Sequence, residues 1–367
     1  MRRGAHAYDR FAQQPPGAAW AVLVCLVLVL AAAVWTALPP HLVAAPTANG
    51  QPSSAPSTSA KPTRDRDLVL YERIAQRVAA GDDYYVAAVQ EQRAGNYPVR
   101  PGIAVRLPTL ALLAASLGPN GLLALASLLG LGTLAAWWQR LGEEPGGAER
   151  RVFVMLLLVI GAIVGLKPQY IFVHEVWAGL LLALGAGLHR PGRWRAAWLP
   201  IALALAIREL ALPFVLLLAA IAAWRGDRRE CAAWLALIVL FAVGLAWHLH
   251  EVGRLLLPSD RPSPPWLVFR GLGGWTGNVI DSTLLHMLPH RLAAPLALLP
   301  LLGWAGWKSR LGVFYTLLLT GYGVLFMIAG RANNFYWALV VTPAWFVGYA
   351  FVPMALRSLL ASARGIR

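Results

Sequence analysis

The chain has 367 residues, of which 58 % are hydrophobic and only 13 % are charged, with a mean hydropathy of +0.57. A soluble domain carries about 25 % charged residues, so this composition excludes an ordinary soluble protein and predicts a polytopic membrane protein. The formal net charge of +15 does not indicate nucleic-acid binding, because no basic face with interleaved aromatic residues accompanies it.

The N-terminal part predicts one transmembrane helix followed by a long outer loop. Residues 1–18 are polar and expected to be cytoplasmic, and residues 19–38 are long enough to cross a hydrocarbon core of roughly 30 Å. HLVAAP at 41–46 is only a weak cleavage signal, so the helix is expected to be retained. The outer loop, 39–118, begins with a flexible linker rich in Pro, Ser, Thr and Ala at 46–63.

The rest of this loop is polar but has aromatic and small residues at ordered positions. Apolar residues at helical spacing predict an amphipathic helix over 68–81. Asp82 and Asp83 then open a second, shorter helix. Residues 107–117 are too short to span a membrane, and GPN at 118–120 is expected to break the chain there.

From residue 119 to 357 apolar runs alternate with short connections. With the first helix, they predict an all-α polytopic transmembrane bundle of about ten spans, with amphipathic helices in the outer loop. A second outer loop, 250–291, contains GLGGWTGN and is expected to be an ordered loop on the membrane surface. Residues 358–367 are expected to be a cytoplasmic tail. The later predicted spans are 121–138, 152–166, 170–188, 196–207, 210–224, 231–249, 292–307, 311–329 and 337–356.

Basic residues mark alternate loops, which the positive-inside rule places in the cytoplasm. These loops hold Arg140, Arg150, Arg151, Arg190, Arg193, Arg195, Arg225, Arg228, Arg229, Lys308 and Arg310. The opposite face holds charges of both signs, several of them in or at the ends of spans, where a charge is costly. Its charged and ionisable residues are Asp82, Asp83, Glu91, Lys167, His174, Glu175, Arg208, Glu209, Glu251, Asp281 and Arg331.

Each of these residues has a structural and a chemical interpretation. One of Asp82 and Asp83 would cap the helix that follows, and the other would act as a general base near apolar surface. Lys167 would snorkel to the interface or bind a phosphate. His174 and Glu175 would contact a sugar or a metal, unless Glu175 forms an ion pair with Lys167 or Arg208. Arg208 and Glu209 form a local pair at a hairpin apex or serve a site.

The stretch GRANNFYWALVVTPAWF at 330–346 is the second informative passage. Arg331 opens a span against the positive-inside trend, and its guanidinium fork suits a phosphate. Asn333 and Asn334 suit sugar hydroxyls, and Tyr336 and Trp337 suit sugar rings. The alternative is an aromatic belt with a snorkelling arginine.

Nucleotide and metal motifs are absent from the sequence. It contains no phosphate-binding glycine-lysine loop, no dinucleotide glycine fingerprint, no CxxC pair and no HExxH. Cys25 and Cys231 lie in apolar spans and indicate no disulfide framework.

These passages resemble the GT-C class of membrane glycosyltransferases, which includes protein O-mannosyltransferases and aminoarabinose transferases of lipid A. That class has an acidic pair in its first outer loop and a late Arg-aromatic-Pro span, here matched by Arg331, Tyr336 and Pro343. The first motif is matched by Asp82, Asp83, Tyr84, Tyr85, Ala87, Ala88, Gly95, Tyr97, Pro98, Arg106, Pro108 and Thr109.

The resemblance implies an inverting sugar transfer from a polyprenyl-phosphate donor on the outer face of the bacterial inner membrane. Asp83, with Asp82 as the cap, would deprotonate the acceptor hydroxyl, and Arg331 with Arg208 or Lys167 would neutralise the leaving phosphate. The loop 250–291 would cover the site. Expected substrate contacts are Glu175, His174, Glu209, Asn334, Tyr336, Tyr85 and Arg106.

The resemblance implies no particular cofactor, and it is compatible with a divalent metal ion. The expected partners are membrane lipid, the polyprenyl-phosphate sugar and a glycan, lipid or protein acceptor, with no nucleic acid. Other classes fit parts of the same sequence: a membrane transporter or lipid flippase, a polysaccharide polymerase or ligase, and a non-catalytic assembly partner.

Overall fold

The computed structural model describes residues 8–37 and 63–366, and within these ranges all regular secondary structure is helical. Most of the predicted linker, 46–63, and part of the polar N-terminus therefore lie outside the described residues. The α-helices are α1 Pro16–Thr36, α2 Thr63–Ala79, α3 Tyr84–Ala94, α4 Thr109–Glu143, α5 Arg151–Ala162, α6 His174–Leu188, α7 Arg195–Ile207, α8 Leu212–Trp224, α9 Arg228–Leu255, α10 Gly271–Asp281, α11 His290–Gly306, α12 Arg310–Ile328, α13 Thr342–Trp345 and α14 Val352–Ala363.

Four helical segments of the described chain are long and apolar enough to cross a membrane. A fifth is obtained if Thr342–Ala350 and Val352–Ala363, which are bent by 46° at their junction, count as one span. Several predicted spans are instead short helices, such as α5 with 12 residues and α8 with 13. At 1.5 Å per residue such helices are shorter than a hydrocarbon core, so the count of about ten spans stays a prediction. The four segments are Pro16–Thr36, Gly102–Glu143, Arg228–Leu255 and Arg310–Ile328.

Helix α6 lies at the centre of the bundle. It is apolar on all sides and nearly every residue in it is buried, which is the pattern of a helix enclosed by its neighbours. Its glycines permit close approach: a Cβ on Gly179 would lie 2.1 Å from the carbonyl oxygen of Leu339. A Cβ on Gly185 would lie 2.5 Å from Ile201. Small residues at such crossings allow helix backbones to pack directly in membrane proteins.

Helix α4 is broken where the sequence predicts it. Gly118 has φ 65° and ψ 176°, outside the helical region, and Pro119 follows it. The left-handed φ is available to glycine without a steric penalty, and the proline cannot complete the preceding hydrogen-bonding pattern. The break separates the residues up to 117, which approach the polar end of the bundle, from the long apolar part of α4.

The two outer-loop helices are present as α2 and α3, and they pack on each other. Their shared core contains Ile74, Tyr84 and Ala88, and it extends to Val252 near the end of α9. The predicted amphipathic helix 68–81 thus falls mostly within α2, which ends at Ala79 and packs against α3 and α4.

The second outer loop differs from its prediction. Helix α9 continues to Leu255, and GLGGWTGN forms the first eight residues of helix α10. The glycines act here through packing: a Cβ on Gly274 would lie 2.7 Å from the Phe326 carbonyl oxygen, and one on Gly323 would overlap Trp275. The irregular parts of the loop are residues 256–270 and the short connections on either side of the 3₁₀ helix Leu284–Met287.

Candidate functional site

A cavity of about 370 Å³ lies at the end of the bundle where α2, α3 and the start of α4 meet. We call it the polar cavity. Six separate segments of the chain line it, so it exists only in the folded bundle. Its lining residues are Asp67, Leu70, Tyr71, Gln92, Gly95, Asn96, Tyr97, Pro98, Ile103, Ala104, Arg106, Arg208, Glu209, Leu210, Arg261, Ser263, Pro264, Trp266, Arg331, Asn333, Asn334, Tyr336 and Trp337.

Arg106 joins two walls of the polar cavity. Its Nε donates a hydrogen bond to the Tyr71 hydroxyl at 3.1 Å, and its Nη2 donates to the Tyr336 hydroxyl at 3.4 Å. The Tyr336 hydroxyl also accepts from Asn334 Nδ2 at 3.4 Å. Both partners of Arg106 are neutral phenols, so these contacts orient the guanidinium without cancelling its charge.

Arg331 is positioned by the turn that begins at Gly330. Gly330 has φ 86°, which favours glycine. The backbone N–H and Nε of Arg331 both donate to Asn334 Oδ1, at 3.0 and 3.5 Å. The 3₁₀ helix Ala332–Val340 follows, and it carries Asn334, Tyr336 and Trp337. The predicted passage 330–346 therefore brings an arginine, an amide and two aromatic rings to one wall.

Arg208 is the most deeply buried arginine of the site, with a side chain 1 % exposed. Its Nε pairs with Glu175 Oε1 at 2.7 Å, and its Nη1 pairs with Glu209. Of the two partners predicted for Glu175, the structure has Arg208. Because two carboxylates compensate it, Arg208 presents little net positive charge to a ligand.

Two of the guanidinium groups that line the polar cavity are not neutralised by a carboxylate. Within the described chain, Arg106 and Arg331 form no ion pair, and their direct partners are hydroxyl and amide groups. Two lining residues also have a buried polar atom without a hydrogen-bond partner among the described residues: Gln92 Oε1 and Trp337 Nε1. Buried polar groups are normally satisfied, so the arrangement fits a ligand with an anionic group and further polar atoms.

Asp67 is the carboxylate that the sequence analysis missed. It lines the polar cavity from α2, one helical turn before Tyr71. Burial raises the pKa of Asp67 above its usual value. The negative charge of Glu175 raises this pKa further. Two effects lower it: a hydrogen bond from the Tyr97 hydroxyl, and the positive charges of Arg106 and Arg331. The spacing of Asp67 and Tyr71 is the signal that was available, since residues four apart share a helix face.

The acidic pair lies elsewhere. Asp83 caps α3, its Oδ1 accepting from the backbone N–H groups of Tyr85 and Val86 at 2.9 and 3.0 Å. Asp82 pairs with Arg77 at 2.6 Å, and both carboxylates are exposed. The prediction that Asp82 caps the helix while Asp83 faces a cavity is therefore wrong about the cap, because it is the residue directly before Tyr84 that reaches the free N–H groups. Neither residue lines the polar cavity.

Four further predicted residues do not line the polar cavity, and one of them is Glu175, which pairs with Arg208. Lys167 is exposed in the turn before the 3₁₀ helix Pro168–Tyr170. His174 is buried behind the cavity wall, with its ring edge against Tyr71 at 5.0 Å. Tyr85 packs beside His248 of α9 at 5.6 Å between ring centroids. Of the predicted site residues, those brought together are Arg106, Arg208, Glu209, Arg331, Asn334 and Tyr336.

The segment 256–270 extends along the side of the polar cavity, and backbone hydrogen bonds attach it to the chain on either side of the cavity. The Ser263 N–H donates to the Arg100 carbonyl oxygen at 2.6 Å, and the Gly330 N–H donates to the Trp266 carbonyl oxygen at 2.7 Å. The segment thereby connects the end of the first outer loop to the turn that carries Arg331, and it adds an indole ring to the cavity wall.

A bidentate ion pair holds the start of the same segment. Arg93 at the end of α3 contacts both carboxylate oxygens of Asp260, at 2.6 and 2.9 Å. The Leu257 N–H also donates to Asp260. The Arg93 hydrogen bond lowers the pKa of Asp260 to about 2.

In the ranges that the structure describes, no group of three or more His, Cys, Asp or Glu side chains could hold a metal ion. Compared with models of known protein families, with curated proteins and with solved structures, the chain matches none. The functional proposal is therefore built from the geometry of the polar cavity.

Proposed function

We propose that the protein is a membrane glycosyltransferase that moves a sugar from a polyprenyl-phosphate donor to an acceptor hydroxyl in the polar cavity. The observation that carries this proposal is the meeting of Arg106 and Arg331, both without a carboxylate partner, with the partly desolvated carboxylate of Asp67. An anionic leaving group needs the first feature, and deprotonation of an acceptor needs the second.

The proposed reaction is a single displacement at the anomeric carbon. The acceptor oxygen forms a bond to that carbon as the bond from carbon to the phosphate oxygen breaks. Asp67 takes the acceptor proton, and the polyprenyl phosphate leaves with the bonding electron pair. Arg106 and Arg331 stabilise the negative charge that grows on the phosphate, while Trp266 and Trp337 offer aromatic faces to the sugar.

Asp67 replaces Asp83 as the proposed base because it lines the polar cavity and, unlike Glu209, forms no ion pair with an arginine among the described residues. We expect Asp67→Asn to lower the transfer rate about 10²- to 10⁴-fold, the usual effect of losing a general base. Arg331→Ala should lower it about 10²- to 10³-fold, as the loss of one stabilising charge does. The measurement is transfer of labelled sugar from a polyprenyl-phosphate donor by the purified protein.

Asp82→Asn and Asp83→Asn are the matched controls, since both remove one outer-face carboxylate. Asparagine also caps helices well, so α3 should keep its start in Asp83→Asn. Both controls should retain activity. Full activity in Asp67→Asn together with its loss in Asp83→Asn would return the catalytic role to Asp83.

The same proposal places the polar cavity on the outer face of a bacterial inner membrane, in a bundle of about ten spans. The separation of charges supports this orientation, because the basic loops at 140–151, 190–195, 225–229 and 308–310 all belong to the side predicted to be cytoplasmic.

Transport of an anionic lipid is the second candidate, and the cluster of the buried Glu175 and Arg208 with the partly buried Glu209 favours it. Intramembrane charges of this kind often mark substrate pathways. A transporter would move labelled lipid across proteoliposome membranes without breaking it. In that case the wild type and Asp67→Asn would both leave the bond between sugar and phosphate intact. Release of free polyprenyl phosphate by the wild-type protein alone would identify a transferase.

A further inference from the structure

A second cavity, of about 1010 Å³, lies at the other end of α4 from Arg106 and is bounded by α8, α12 and three loops. We call it the basic cavity. Seven of its lining residues are basic and two are acidic, which gives the lining a formal charge of +5. These charged residues are Arg10, Arg140, Glu143, Glu144, Arg190, Arg193, Arg225, Lys308 and Arg310.

Both acidic residues of the basic cavity are already engaged. Glu143 pairs with Arg190, and Glu144 pairs with Arg140 at 2.6 Å. Within the described ranges the remaining lining cations include four that form no ion pair: Arg10, Arg193, Lys308 and Arg310. The cavity therefore has an excess of positive charge that the chain itself does not compensate.

Arg140 distinguishes this cavity from a set of solvated surface arginines. Its side chain is 4 % exposed, and its Nε has no hydrogen-bond partner among the described residues. Its Nη1 donates to the carbonyl oxygen of His189. A buried guanidinium N–H without an acceptor is uncommon, and topology alone does not require an arginine to be buried.

The opposite wall of the basic cavity is apolar and open to the side. Leu217, Ala220, Ile221 and Trp224 lie on one face of α8, at helical spacing. Val313 and Leu317 face them from α12. The Trp224 side chain is 92 % exposed, at a position where an interfacial tryptophan contacts lipid headgroups.

The two helices forming this wall touch each other further along. The rings of Phe214 and Phe314 are 4.9 Å apart, and the Tyr322 hydroxyl donates to the Leu210 carbonyl oxygen. Toward Trp224 and Arg310 the cavity separates them. The result is a cleft between helices with cations at its head and aliphatic side chains along its length.

We propose that the basic cavity binds the headgroup of an anionic phospholipid, with the acyl chains following the cleft between α8 and α12. Charge complementarity identifies the phosphate, and the apolar wall with its exposed tryptophan identifies a lipid rather than a soluble phosphate. The site is independent of the polar cavity and of the reaction proposed there.

The test compares phosphatidylglycerol with phosphatidylcholine of the same acyl chains, bound to the delipidated full-length protein and counted by native mass spectrometry. Arg193→Gln combined with Arg310→Gln removes two exposed lining charges. Each such residue contributes about fivefold to the binding of anionic lipid, so the pair should weaken phosphatidylglycerol binding by at least about tenfold. Binding of phosphatidylcholine should not change.

The matched control combines Arg229→Gln with Arg357→Gln, which removes two exposed arginines outside the cavity lining. We expect this variant to bind phosphatidylglycerol as the wild type does. If the two double variants lost phosphatidylglycerol binding equally, the loss would be due to general surface charge, and the proposal would be overturned. Competition by glycerol phosphate as effective as that by phosphatidylglycerol would overturn the lipid assignment.

Discussion

At the scale of single residues, the most informative feature is the different fate of three aspartates in one outer segment. The Asp83 carboxylate accepts hydrogen bonds from the backbone of α3, and Asp82 forms a solvent-exposed ion pair with Arg77. Asp67 lies in the wall of the polar cavity, where burial raises its pKa. Only a carboxylate that is neither a cap nor part of a surface ion pair remains available for proton transfer in the cavity.

The pH dependence of the proposed reaction follows from the environment of Asp67. Because its pKa is raised from the ordinary value of 3.8, the protonated and inactive form persists to higher pH than for an exposed aspartate. We expect kcat/KM to rise with pH along a limb that reports this raised pKa. A rate profile measured from acidic to neutral pH checks it, and a limb at the ordinary value would contradict the assignment.

The same shift has a consequence for the folded state. Ionisation of Asp67 is less favourable in the native protein than in the unfolded chain, so its stabilising contribution is lost as pH rises through the native pKa. Asp67→Asn should therefore lose activity without losing thermal stability at neutral pH. This combination separates a catalytic loss from an unfolded variant.

At the scale of elements, the positions of the two cavity-forming loops depend on a turn and on an ion pair. Gly330 provides the turn that presents Arg331, and Arg93 with Asp260 fixes the segment 256–270. Neither is part of a long helix, so each holds its loop through a few local contacts.

Gly330→Ala should destabilise the protein, because a left-handed conformation costs a residue with a Cβ roughly 1–2 kcal/mol. The added Cβ would also lie 3.2 Å from the Trp337 ring. Gly321→Ala in α12 is the control, since it has no positive φ and nothing lies within 4 Å of the added atom. Thermal inactivation in detergent should shift downward for the first variant and not for the second; equal midpoints would show that the turn is not strained.

Asp260 should give the loop a stability that depends on acid. Its native pKa of about 2 lies below the ordinary value of about 4, so the contribution is present above about pH 4 and is lost as pH falls through 2. The wild type should unfold at a higher temperature than Asp260→Asn at neutral pH, with the difference disappearing in acid. Glu251→Gln removes a carboxylate from the more exposed pair with Arg254 and should show a smaller difference.

At the scale of the whole molecule, two separate cavities are lined by arginines that the sequence predicts to lie on opposite faces of a membrane. Arg106, Arg208 and Arg331 reach the polar cavity, whereas Arg140, Arg193 and Arg310 reach the basic cavity. Hydropathy is a local property, so the sequence alone was sufficient for the helical class, whereas the membrane orientation of the two cavities stays a prediction.

The rest depended on packing that the sequence does not reveal. Several apolar runs became short helices around the central α6, which a hydropathy pattern cannot distinguish from full spans. The identity of the cavity carboxylate depended on how α2 docks between α3 and the start of α4. The glycine-rich stretch at 271 is helical and packs closely on α12, where Gly274 approaches the Phe326 carbonyl oxygen and the Trp275 ring lies against Gly323.

The opposite placement of the two cavities can be checked in membranes. After replacement of Cys25 and Cys231, we expect Asn333→Cys and Arg229→Cys, both at exposed positions, to react with an impermeant thiol reagent from opposite sides. Vesicles of both orientations provide the measurement. Labelling of the two variants from the same side would refute a transmembrane bundle with ends at these two cavities.

For the reaction proposed above, the hydrogen bonds of Arg106 and Arg331 to neutral groups imply that binding of the donor would change the pKa of Asp67. The positive charges of these two guanidinium groups favour the ionised form of Asp67. A phosphate that binds them would cancel much of this electrostatic support, so the aspartate would hold a proton more tightly once the donor is present. In the proposed reaction, the ionised carboxylate would then be a stronger base, and the pH above which it is ionised would shift upward when the donor phosphate is bound.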